Sequence, residues 1–217
     1  MTQIAPSILA AKFEDLDTEV KALEAAGADM LHIDVMDGEF VEAKTEFLDP
    51  NVTKRIRALT NITLDAHLMV TKPEEYVDQF IEAGADIITL HIESQGDIPN
   101  LLNKIKQANK KPGISINPDT EIEKVLPLLK DCYMVLVMSV YPGKCGQGFI
   151  ENSIEKIKQL KEYIKDNNLQ TLIQVDGGIK ADNAYKVIEV GADILVSGSG
   201  VLGKEDYKEV MDKMRCT

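Results

Sequence analysis

Eight times along the chain a short apolar run is followed by an amphipathic, charge-rich segment. The runs cover residues 4–9, 30–36, 63–70, 87–92, 112–116, 134–140, 171–175 and 194–198, and each is short enough to read as a strand. The segments that follow, roughly 14–25, 51–59, 73–82, 98–109, 121–129, 151–166, 182–190 and 206–214, read as helices. Eight strand–helix units predict an α/β fold, a (β/α)8 TIM barrel, as a single domain over residues 1–217. A doubly wound open sheet is the competing arrangement. The count of eight and the lack of an early Gly-x-Gly-x-x-Gly turn favour the barrel.

A faint repeat supports the same unit. Ala26-Gly27-Ala28-Asp29, Ala83-Gly84-Ala85-Asp86 and Val190-Gly191-Ala192-Asp193 each lie between a helix and the next strand. Glycine there can take the left-handed conformation that closes a helix, and aspartate can satisfy backbone groups in the turn. The repeat reads as a recurring loop and carries no chemistry.

Composition narrows the function. A net charge of −12 leaves no basic excess to neutralise phosphates, which excludes a nucleic-acid partner. A small anionic substrate would need local cations or backbone N–H groups against that field. The three cysteines, Cys132, Cys145 and Cys216, form no CxxC pair and no disulfide framework, which fits a reducing compartment. The N-terminus lacks a basic segment followed by an apolar run, and no stretch has the length to span a bilayer. The expectation is a cytoplasmic protein without a membrane partner.

In such barrels chemistry collects at the C-terminal ends of the strands. Ser7 lies there on the first strand, His32, Asp34 and Met36 on the second, and Asp65, His67 and Met69 on the third. His91 and Glu93 end the fourth, Met138 and Ser139 the sixth, Asp176 the seventh, and Gly198, Ser199 and Gly200 the eighth. Residues 31–35 alternate apolar and polar, so His32 and Asp34 share a face. With His67 and Asp176 they offer two imidazoles and two carboxylates to one divalent ion: zinc, ferrous iron, manganese or cobalt. Three consecutive glycine-rich loops follow the sixth to eighth strands: Gly143-Lys144-Cys145-Gly146, Gly177-Gly178 and Gly198-Ser199. Glycine lets backbone N–H groups approach an anion, so their co-location points to a phosphorylated substrate.

Several stretches strongly resemble the ribulose-phosphate 3-epimerase family. They are Ala5-Pro6-Ser7-Ile8-Leu9, His32-Ile33-Asp34-Val35-Met36-Asp37-Gly38, Asp65-Ala66-His67-Leu68-Met69 and Val175-Asp176-Gly177-Gly178. Asn117-Pro118 with Thr120, Val137-Met138, Pro142-Gly143 with Gly146-Gln147, and Ser197-Gly198-Ser199 match as well, in order and nearly end to end. The resemblance implies a ribulose-phosphate-binding barrel that interconverts D-ribulose 5-phosphate and D-xylulose 5-phosphate in pentose phosphate metabolism. By it, His32, Asp34, His67 and Asp176 hold the metal, and Asp34 and Asp176 are the acid/base pair. Ser7 and His67 touch the sugar, and Met36, Met69 and Met138 line the reacting carbons. Gly143, Lys144, Cys145, Gly146, Gly177, Gly178, Gly198 and Ser199 surround the phosphate. The resemblance also suggests a homo-oligomer.

Three departures bear on the substrate. After Phe40-Val41 the family usually continues Pro-Asn, whereas this chain has Glu42-Ala43-Lys44-Thr45-Glu46-Phe47. The family's Pro-Gly-Phe-Gly-Gly-Gln stands here as Pro142-Gly143-Lys144-Cys145-Gly146-Gln147, and Tyr141 replaces a usual Asn, Asp or Glu. All three spare the metal and acid/base positions. They keep open a six-carbon ketose phosphate such as D-allulose 6-phosphate as substrate. A lyase related to orotidine-phosphate decarboxylase would carry a lysine two residues after Asp65, where this chain has His67. A non-catalytic sugar-phosphate sensor could dispense with one of the two aspartates, and both are present.

Overall fold

The computed structural model describes residues 2–144 and 146–215. Eight strands form one sheet: β1 (Gln3–Pro6), β2 (Met30–Met36), β3 (Thr63–Met69), β4 (Ile87–His91), β5 (Lys111–Ile116), β6 (Met134–Met138), β7 (Leu172–Asp176) and β8 (Ile194–Ser197). Their order is β1-β8-β7-β6-β5-β4-β3-β2, every neighbouring pair parallel. A lone parallel bridge between Ser7 and His32 joins β1 to β2, so the barrel is nearly closed and its seam lies at the second strand. Around it lie α1 (Leu16–Ala25), α2 (Pro50–Leu59), α3 (Val77–Ala83), α4 (Ile98–Gln107), α5 (Ser153–Asp166), α6 (Ala184–Glu189) and α7 (Tyr207–Arg215). No helix among the described residues is long and apolar enough to cross a membrane.

The two-residue period of a strand divides the core. On β2, Leu31, Ile33 and Val35 join the large cluster between sheet and helices. Met30 turns inward, where it meets Ala5, Ile87, Met134, Ile194 and Val196 at the bottom of the barrel. Above that apolar plug, the inward positions His32 and Asp34 are polar and buried. The plug closes one end and leaves the chemistry at the other.

Two expected elements differ. The first strand stops at Pro6, and residues Ile8–Ala10 form a 3-10 turn. Its partner β8 ends at Ser197, so no ladder remains to keep the chain extended. The segment expected as a helix over 121–129 forms two 3-10 turns, Ile122–Lys124 and Leu126–Asp131. Pro127 lacks the N–H that an α-helix needs there and clashes with the preceding turn.

The Gly-Ala-Asp repeat turns out to be a clamp on the bottom of the barrel. In each copy the aspartate accepts, on its carboxylate, a strand N–H: Asp29 from Ile4 at 2.8 Å, Asp86 from Leu64 at 2.9 Å, and Asp193 from Ile173 at 2.9 Å. Its own N–H donates to the carbonyl of that same residue. A cation backs each carboxylate, Arg215 on Asp29, Arg57 on Asp86 and Lys161 on Asp193. Each unit therefore ties the strand it begins to the one beside it. A hydrogen bond to a charged acceptor is worth about 1.5–3 kcal/mol. Asp29→Ala, Asp86→Ala and Asp193→Ala are expected to lower unfolding free energy by about 2 kcal/mol each in urea titrations. Asp29→Ala should cost most, because the β1–β2 seam has no ladder behind it.

Candidate active site

The register of β2 against β3 sets His32 opposite Asp65 and Asp34 opposite His67. On these inward positions the side chains meet. His32 Nε2 lies 3.2 Å from His67 Nδ1 and 3.4 Å from Asp34 Oδ1, and His67 Nδ1 lies 3.4 Å from the same oxygen. From β7, Asp176 brings an Oδ2 within 4.0 Å of His32 Nε2. Each of the four offers one ligand atom, all within 4.8 Å of one another. The donor set fits one divalent ion, with two ring nitrogens and two carboxylates converging on a point.

Supporting contacts fix the orientations. Ser7 donates its hydroxyl to Asp34 Oδ2 at 2.5 Å, across the seam. Asp65, fully buried, meets His32 Nδ1 at 2.8 Å and accepts from Thr89 at 3.1 Å and Gln174 at 2.9 Å. An ionised carboxylate only accepts, so His32 Nδ1 carries a hydrogen and Nε2 is left facing the other ligands. In the sequence Asp65 is a polar strand-end residue with no role assigned to it. Its spacing, two residues before His67 on the inward face, is the signal that it belongs to the site.

Burial works to raise Asp34, but the charge and hydrogen bond of His32 outweigh it and hold the carboxyl well below the usual range. Burial also opposes a charge on His32, yet Asp34 and Asp65 raise it well above an ordinary imidazole. The field that favours a proton there favours a metal cation equally. His67 is pushed down to about 4, first by burial and then, against the hydrogen bond to Asp34, by His91 and His32. Burial and the Asp34 charge push Asp176 up to about 7. Two carboxyl groups thus sit in one site with separated proton affinities, an arrangement suited to one accepting while the other donates.

A cleft opens above these groups. Ser7, Asp34 and Asp176 line its floor, with Met36, Met69 and Met138 as its apolar wall. Gly143, Lys144, Gly146, Gly177, Gly178, Gly198 and Ser199 line it as well. His32 and His67 are fully buried beneath the residues that line the cleft. Cys145, expected near the phosphate, lies outside the described residues. Lys180, which sequence reasoning missed, adds a second lysine to the lining; it follows the Asp176-Gly177-Gly178 turn by two residues.

The glycines have a packing reason besides their N–H groups. Gly178 has φ +67°, and a Cβ there would lie 2.6 Å from the Phe149 nitrogen. The Ser139 hydroxyl lies 2.9 and 2.7 Å from the carbonyls of Asp176 and Gly177 and donates to them, anchoring the end of β7. Asp37 accepts from the N–H groups of Glu39, Phe40 and Thr71, pinning the loop after β2 to the end of β3. Of the departures, the 42–47 loop lines none of the cleft, and its Thr45 hydroxyl donates to the Asp34 carbonyl. Tyr141 does line it, 51% exposed, with its hydroxyl on Asp119 at 2.7 Å.

Residues 3–202 match the model of the ribulose-phosphate 3 epimerase family. The chain belongs to that family. It is 43% identical over 216 residues to the chloroplastic ribulose-5-phosphate-3-epimerase of Arabidopsis thaliana, covering 99% of this chain and 76% of that one. To the ribulose-phosphate 3-epimerase of Bacillus subtilis it is 40% identical over 216 residues, covering 99% of each. Among solved structures, a ligand complex of KGPDC from Streptococcus mutans superposes with a TM-score of 0.76 at 14% identity, covering 99% of this chain and 98% of that one. The 3-keto-L-gulonate-6-phosphate decarboxylase of Vibrio cholerae gives 0.75 at 15% identity, covering 99% and 95%. These structures share the barrel. Family membership makes the chain an isomerase of the epimerase class.

The raised Asp176 has a measurable consequence in metal-stripped protein. Its folded value of about 7 exceeds the ordinary 3.8, so the unfolded chain releases this proton first. Its contribution to stability is fully present below about pH 4 and is lost as pH rises to about 7. The stability of wild type relative to Asp176→Asn should therefore fall across that window in denaturant titrations. In Asp34→Asn the Asp176 carboxyl carbon should titrate lower, because one of the charges raising it is gone.

Proposed function

We propose that this chain, acting as one barrel domain, interconverts D-ribulose 5-phosphate and D-xylulose 5-phosphate by moving a proton at C3 from one face to the other. The observation that carries the reading is the pair Asp34 and Asp176. They reach one methionine-walled cleft from β2 and β7, one held ionised and the other titrating near neutrality. Membership of the epimerase family and the names of the relatives support the same substrate pair.

The residues divide the work. Asp34, ionised and oriented by the Ser7 hydroxyl, takes the C3 proton from one face. Asp176, able to hold a proton near pH 7, returns one to the other face, and in the reverse direction the roles exchange. Met36, Met69 and Met138 present apolar surface without competing hydrogen bonds, which keeps water from the enediolate between the two transfers. Backbone N–H groups of Gly177, Gly178, Gly198 and Ser199, with Lys144 and Lys180 at the lining, receive the phosphate. His32, Asp34, His67 and Asp176 would hold a divalent ion. When bound, that ion supplies Lewis-acid stabilisation of the negative charge on the sugar oxygens as the proton leaves.

A second reading rests on Tyr141 and Lys144, which depart from the family pattern and line the cleft. On this reading the substrate is a six-carbon ketose phosphate such as D-allulose 6-phosphate. Assaying both sugars in deuterated water separates the two. On the first reading D-ribulose 5-phosphate turns over faster and gains deuterium at C3. Asp34→Asn and Asp176→Asn should each lower kcat by about 10²–10⁴-fold, the usual worth of a positioned acid or base. Chelation followed by zinc or cobalt addition should abolish and restore the rate. Faster turnover of D-allulose 6-phosphate would replace the pentose reading, and no turnover of either would overturn both.

A further inference from the structure

The third histidine, His91, takes no part in the site as described, yet it is fully buried and touches a ligand. Its Nε2 lies 2.8 Å from His67 Nε2, with the two ring planes 23° apart and their centroids at 4.9 Å. Its Nδ1 lies 3.1 Å from Glu93 Oε2. The other Glu93 oxygen, Oε1, accepts the Asn117 N–H at 2.8 Å and the Thr120 hydroxyl. Lys156 in turn donates to the carbonyls of Asn117, Pro118 and Thr120, holding that loop in place. Phe40 covers His91 from the loop after β2, its ring 4.8 Å away.

We propose that Glu93 and His91 are positioning residues that fix the tautomer of His67, aiming its Nδ1 lone pair at the cation site. The assignment follows from counting hydrogens and rests on the reading that His67 is a metal ligand. A carboxylate can only accept, so His91 Nδ1 carries the hydrogen that faces Glu93. With His91 as the neutral imidazole, that is its one N–H, which leaves Nε2 an acceptor. His67 Nε2, 2.8 Å away, must then be the donor, and its remaining nitrogen, Nδ1, is bare. That nitrogen is the one facing His32 Nε2 and Asp34 Oδ1. Asp65 sets His32 the same way from the opposite side. Both histidine ligands thus have their lone pairs chosen by a carboxylate outside the cation site.

Glu93→Gln tests this with almost no change of shape. Oε1 must stay an acceptor, because it faces two donors, so the new amide nitrogen falls opposite His91 Nδ1. His91 must then accept on Nδ1 and donate from Nε2, and His67 is forced to carry its hydrogen on Nδ1, where the ion would bind. Two readouts follow, neither of them activity. In metal-free protein, ¹⁵N shifts should show His67 as the Nε2–H tautomer in wild type and as Nδ1–H in Glu93→Gln. Zinc titrated against a chelator should bind the variant about 10–100-fold more weakly, the usual worth of such an outer partner. Circular dichroism of the metal-free variant should remain that of wild type.

An Nδ1–H tautomer in wild-type His67 overturns the proposal however the variant folds. So does a Glu93→Gln protein that binds zinc as tightly as wild type. Failure of wild type itself to bind zinc or cobalt overturns the ligand reading instead, which the variant comparison cannot mimic.

Discussion

The parallel pairing of β2 with β3 is the constraint on which the rest of the site depends. Its register, from Met30 opposite Thr63 to Met36 opposite Met69, decides which inward residues are neighbours. His32 meets Asp65, Asp34 meets His67, and the third strand then sets His67 beside Thr89 of β4. A slip of one residue would turn every one of these side chains into the apolar layer under the helices. The hydrophobic pattern that makes Leu31, Ile33 and Val35 face outward is therefore what brings the imidazoles and carboxylates inward.

Collecting ionisable groups in a protein interior is costly unless each finds a partner. Here every buried group but Asp176 does, and the partnerships form a continuous network. Gln174 and Thr89 serve Asp65, Asp65 serves His32, and Ser7 serves Asp34. On the far side the 117–120 loop serves Glu93, and Glu93 serves His91. Asp176 stands apart, with His32 Nε2 at 4.0 Å as its nearest cationic neighbour, and its carboxyl is the one that burial pushes up. The separation of the two carboxyl groups thus follows from unequal support.

The two ends of the barrel use aspartate differently. At the bottom, Asp29, Asp86 and Asp193 are backed by Arg215, Arg57 and Lys161 and hold strand N–H groups, which gives stability without chemistry. At the top, Asp34 and Asp176 face an open cleft whose lining lysines lie in the loops around it. The glycines separate along the same line. Those in the Gly-Ala-Asp repeats end helices, whereas Gly178 allows the loop after β7 to pass against Phe149 at the mouth.

The sequence by itself determined the alternation of eight strands and helices, because periodicity and apolar run length are local properties. It also singled out His32, Asp34, His67 and Asp176, since strand ends are where a barrel places its chemistry. The local pattern over 121–129 predicts a helix, which Pro127 breaks into two 3-10 turns, and the Gly-Ala-Asp repeat shows locally only a turn. The partner of each repeat aspartate is a strand N–H on a neighbouring unit, which no local pattern displays. The same holds for Asp65, His91 and Glu93. Their importance lies in which nitrogen meets which oxygen across three strands, and only the closed register of the barrel decides that.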